Sequence, residues 1–109
     1  MICKIVMAAV GAAALASGCV GVPHPDAADV ERAQTRWPGT DQATLEAGRR
    51  LYVQKCSACH TLYPPGSHTP EQWPAIVAEM GAEAGIRPED QALIEEFLVT
   101  ISGRPNPSP

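Results

Sequence analysis

Cys56 and Cys59 sit three positions apart, and His60 follows the second thiol at once, in the stretch QKCSACHTLYPPG. This spacing constrains the fold more than any other feature, because the folded part of the chain is expected to keep no other cysteine. Four cysteines occur, at positions 3, 19, 56 and 59. Residues 1–18 have the layout of an export signal peptide: Lys4, an uncharged run from Ile5 to Ala16, then the small residues Ser17 and Gly18 before Cys19. The run is too short for a spanning helix, which needs about 20 apolar residues.

The end of that leader, LASGC, resembles the lipobox of bacterial lipoproteins. The resemblance implies that Cys19 is lipidated and becomes the first mature residue, anchored on the periplasmic side of a bacterial membrane. The alternative is an ordinary signal cut that leaves Cys19 as a thiol on a soluble periplasmic protein. Cleavage discards Cys3 and lipid occupies Cys19, so no disulfide framework can form, although export leads to a compartment where disulfides persist. Removing 18 of the 109 residues leaves 91. Residues 19–40 are rich in Pro, Ala and charge and have no sustained apolar period, which predicts a tether. A helix in DAADVERAQTRW is possible but poorly amphipathic. About 70 residues remain for a domain, few enough that a metal or cofactor staple is usually needed.

Residues 41–104 predict an all-α domain of three helices, with 105–109 as a tail. The first helix runs from about Asp41 to His60, capped by Thr40 or Asp41, and "LYPPGSH" breaks it. In the second segment, Thr69-Pro70-Glu71-Gln72 has the form of a capping box. Pro74 moves the start of regular helix later, and Gly85 ends it. Trp73, Ile76, Val77 and Met80 share one face at helical spacing. The third helix opens with Pro88, Glu89 and Asp90, carries an apolar stripe of Leu93, Ile94, Phe97, Leu98 and Ile101, and stops at Gly103.

CSACH admits three chemistries. A thioredoxin-like dithiol belongs after a strand, and this chain has helical patterns only. A structural zinc site needs four ligands, and His60 directly after Cys59 is unlike zinc spacings. C-x-x-C-H is the attachment signature of c-type haem: one helical turn presents two thiols to two vinyl groups, and the next residue offers an imidazole to the iron. The attachment also supplies the staple that so short a chain needs.

With GRRLYVQKCSACHTLYPPG in place, the sequence resembles the cytochrome c family, in particular small bacterial haem c domains, over roughly Leu45 to Ile101. The resemblance implies a small three-helix domain wrapped around one covalent haem c, held by Cys56 and Cys59, with His60 as the proximal ligand. It places Gly48 and Tyr52 against the last helix, and "WPAIVAEM" looks like domains that carry the sixth ligand on a second helix. Met80 is the one methionine outside the leader and is the candidate sixth ligand. His68 competes from a polar turn, and an open sixth position would suit a sensor or a peroxidase-like site.

Loss of Lys4 takes the formal charge from −4 to −5, and no basic face points to nucleic acid. The expected function is electron transfer without enzymatic chemistry: a membrane-tethered haem c carrier passing single electrons between periplasmic redox proteins, a donor and an acceptor.

Overall fold

The structure is a computed structural model and describes residues 21–56 and 62–105. Four α-helices and one short 3-10 turn make up its regular structure, and no strand occurs among the described residues. They are α1 (Ala27–Gln34), α2 (Gln42–Cys56), the turn Pro65–Ser67, α3 (Trp73–Ala84) and α4 (Pro88–Ser102).

Helices α2, α3 and α4 correspond to the three predicted from periodicity. Asp41 starts α2, its carboxylate accepting from the Thr44 amide at 2.9 Å. Thr40 does not cap; it is buried, and its hydroxyl donates to Glu96 on α4. The capping box before α3 is present. The Gln72 amide donates to Thr69 Oγ1 at 3.2 Å, and Gln72 Oε1 accepts from the Thr69 amide at 2.9 Å. It closes a separate turn, and the helix itself begins at Trp73 with Pro74 in its first turn, where a missing N–H costs nothing. Gly85 takes φ 69°, the left-handed conformation that glycine adopts without strain, and ends α3.

Helix α4 is the spine. All its residues from Phe97 to Ser102 are buried, and it packs most heavily on α2 and α3. At Gly48 the α2 backbone lies directly against α4: a Cβ there would strike the Leu93 carbonyl and come within 2.8 Å of Phe97 Cβ. Only a residue without a side chain permits that approach. One turn on, the Tyr52 ring packs on Phe97 at 6.4 Å and edge-on to Trp73 at 6.2 Å. The sequence-based placement of Gly48 and Tyr52 against the last helix matches this contact.

The described part of the stretch expected to be a tether, residues 21–40, is folded onto the core. Asp26 and Asp29 form a reciprocal capping box that starts α1. Asp29 is buried and accepts a forked bond from Arg104 (Nε 3.0 Å, Nη2 2.6 Å), another from Arg32 at 2.8 Å and one from the Asp26 amide at 2.8 Å. Every lone pair of the carboxylate is used, which is the condition for burying a charge. Burial alone would raise the Asp29 pKa; the Arg104 bond, then the Asp26 amide and Arg32, overcome it and hold the carboxyl well below the usual range. Apolar periodicity could not reveal this helix, because polar bonds hold it.

Candidate functional site

Tyr52, Cys56, Trp73, Val77, Met80, Gly81, Ile86, Ile94 and Leu98 line a cleft between α2, α3 and α4. Its walls are almost wholly apolar, and the space they enclose is small, about 10 Å³. Cys56 ends the described part of α2, one turn beyond Tyr52, and is half-buried. Met80 comes from α3, one turn beyond Val77 and Ile76, and is likewise half-buried. The chain thus brings a thiol and a thioether, 24 residues apart in sequence, to one apolar cleft.

The segment after the thiol motif is pinned at three consecutive carbonyls. Tyr52 donates its hydroxyl to Tyr63 O, Ser67 donates through Oγ to Pro64 O at 2.7 Å, and Trp73 donates Nε1 to Pro65 O at 2.8 Å. Pro65 itself is buried. Burial, with Cys56 nearby as a second cause, pushes the Tyr52 phenol well above its ordinary value, so it stays a neutral donor. Tyr52 and Trp73 therefore serve twice: their rings wall the cleft, and their polar tips fix the loop 63–67 beside it. Helical spacing put Trp73 on an apolar face and the family resemblance set Tyr52 against the last helix; neither shows where the polar tips go.

His68 lies elsewhere. Its ring stacks edge-on against Trp73 at 4.9 Å and Tyr63 at 5.9 Å, and it does not line the cleft. His24 contacts Glu46 at 3.1 Å on the outer side of α2. Arg49 donates Nε and Nη2 to Val22 O at 3.0 and 2.9 Å, so its guanidinium is engaged by the N-terminal arm. Cys19, Cys59 and His60 lie outside the described residues.

These residues fit a haem. A flat, largely apolar macrocycle matches an apolar cleft. The thiol at its edge is the first of the C-x-x-C-H pair, and the thioether is the kind of ligand that pairs with His on iron. No curated protein and no solved structure matches the chain. Among protein families, residues 52–108 match dihaem cytochrome c. That span is more than half of the chain and takes in the thiol motif, Met80 and the spine helix α4. With its all-helical fold and an apolar cleft bearing Cys56, the chain belongs to the dihaem cytochrome c family and is a c-type cytochrome, a haem c protein of electron transfer.

Proposed function

We propose that this protein carries single electrons between periplasmic redox partners through one covalent haem c, tethered to the membrane by a lipid on Cys19. The observation that carries the reading is the meeting of Cys56 and Met80 in one apolar cleft. Cys56 and Cys59 would fasten the haem by thioether bonds, His60 would ligate the iron from the adjacent position, and Met80 would supply the sixth ligand. The bound haem supplies a one-electron iron couple, with His and Met ligation raising its potential.

The chain's own contribution is to seat and dry that couple. Val77, Ile86, Ile94 and Leu98 keep water from the cleft, while Tyr52, Ser67 and Trp73 hold the loop that follows the thiol motif. With His60 and Met80 both committed to the iron, the site would transfer electrons and leave no place for substrate, so no enzymatic activity is proposed. His68 is the weaker ligand candidate because its ring is committed to Trp73 and Tyr63. The family name refers to two haems, whereas C-x-x-C-H occurs once in this sequence, which supports one covalent haem on this chain.

Absorption spectra test the ligand set. Oxidised protein should show a far-red sulfur-to-iron charge-transfer band that Met80→Ala abolishes, and the reduced native protein should bind carbon monoxide only slowly. A band unchanged in Met80→Ala eliminates the thioether, and rapid carbon monoxide binding by the native protein favours an open sixth position. An intact mass showing the processed chain with two haems eliminates the single-haem reading.

A further inference from the structure

The N-terminal arm runs along α2 in register. Gln42 Nε2 donates to Pro25 O at 2.7 Å, Glu46 meets His24 at 3.1 Å, and Arg49 donates twice to Val22 O at 3.0 and 2.9 Å. From the other side, Arg104 donates to His24 O at 3.0 Å, and Val22 and Pro25 are buried. Seven helical residues, from 42 to 49, rise about 10 Å. Three residues of extended chain, from 25 to 22, also span about 10 Å. The arm therefore lies alongside the helix without slack.

Positions 42, 46, 49, 53 and 56 fall on one side of α2, at i, i+4, i+7, i+11 and i+14. The arm occupies the first half of this stripe, and Cys56 closes the second. Cys19 precedes Val22 by three residues, at most about 10 Å of chain. Cys56 follows Arg49 by seven helical residues, again about 10 Å.

We infer that residues 22–29 are a strap that keeps the membrane anchor close to the Cys56 end of α2, so that the haem-bearing domain lies on the bilayer surface. The membrane half of this inference rests on lipidation of Cys19, as proposed above; the strap itself does not. With the reach of Arg49 included, an anchor at Cys19 stays within roughly 30 Å of Cys56. A loose spacer over residues 19–40 would instead let the domain range up to roughly 70 Å from its anchor. The strap selects the partner by position: a redox group presented at the plane of the membrane is in reach, and one held far from the bilayer is not.

Energy transfer to haem from a fluorophore on lipid headgroups reads the distance. Lipidated holoprotein in vesicles should quench headgroup fluorescence strongly. Insertion of 15 Gly/Ser residues between Gly21 and Val22 leaves every strap contact in place but adds a coil of about 20 Å r.m.s. length, and should relieve that quenching at least twofold. Equal quenching by the native and inserted proteins overturns the surface orientation. The intact mass of protein extracted from membranes separates the two claims, since a Cys19 without lipid removes the membrane half alone. The strap is then read in soluble holoprotein carrying a fluorophore at Val20→Cys in a Cys19→Ser background. The label should be quenched with the native strap and brighter when Gln42→Ala and Arg49→Ala release it. Equal brightness in the two overturns the strap.

Discussion

Asp29 and Phe97 are both sealed from solvent, at 1% and 0% exposure, yet they are held by different kinds of force. Phe97 sits where α2 and α4 touch, among Tyr52, Gly48 and the walls of the cleft, and its energy is apolar burial and close packing. Asp29 sits where α1 meets the end of α4, and its energy is four directed hydrogen bonds, two of them from a residue 75 positions away. The apolar region tolerates changes that keep volume. The polar region tolerates no loss of a partner, because a charge without its donor is worse than no charge. The first builds the haem seat; the second fastens the arm to it.

Breaking the apolar side should have the largest effect. Phe97→Ala should cost about 3–5 kcal/mol, read from the urea midpoint of the holoprotein, because it leaves a cavity beneath Tyr52. A loss below about 1 kcal/mol would mean that the two helices are not joined through this ring. Next comes Gly48→Ala, which forces a methyl into the Leu93 carbonyl and should cost about 3 kcal/mol, the upper range for overpacking. An unchanged midpoint would show that the helices have room to part.

The polar side should show an asymmetry. Arg104→Ala should cost about 2–3 kcal/mol, since it strips two donors from a buried carboxylate. Asp29→Ala should cost less, because Arg32 and Arg104 are partly exposed and regain water. Equal losses would place the energy in the contact and not in the stranded charge. The pH dependence follows from the lowered Asp29 pKa. Its stabilisation is complete above the ordinary carboxylate value of about 4 and is lost as pH falls toward the lower folded value. The native midpoint should therefore decline on the acid side, and Arg104→Ala should flatten that decline.

Glu96 carries the opposite sign and the smallest effect. Burial first, and the Asp41 charge second, raise its pKa, so its contribution is full below the ordinary value and fades as pH rises to the folded value. Glu96→Gln keeps an oxygen for the Thr40 hydroxyl and should remove this fade, with a gain below about 1 kcal/mol at neutral pH. A loss at neutral pH would mean that the charged form is the better acceptor there.

Much of the domain was legible before any coordinates. Helices α2, α3 and α4 follow from apolar spacing and from Pro and Gly at their ends, because a helix buries one stripe and the stripe repeats every turn. The Thr69–Gln72 capping box was legible for the same local reason. Helix α1 is poorly amphipathic, so apolar spacing gives it little support; what anchors it is a buried aspartate, Asp29. Burial of a charge depends on partners that only the closed fold supplies, here Arg104. The apolar character of Met80's face was legible; that it shares a cleft with Cys56 was not.

By itself the sequence determined the chemistry within short reach: the two thiols and imidazole at one spacing, the one methionine outside the leader, and the helices that carry Cys56 and Met80. Covalent spacing and helical period act over a few residues and can be read off the chain. Only the tertiary structure decided which of these groups meet, that His68 turns to Trp73, and that the arm lies along α2. Those outcomes depend on hydrogen bonds and packing between residues many positions apart, whose geometry exists only once the chain has closed on itself.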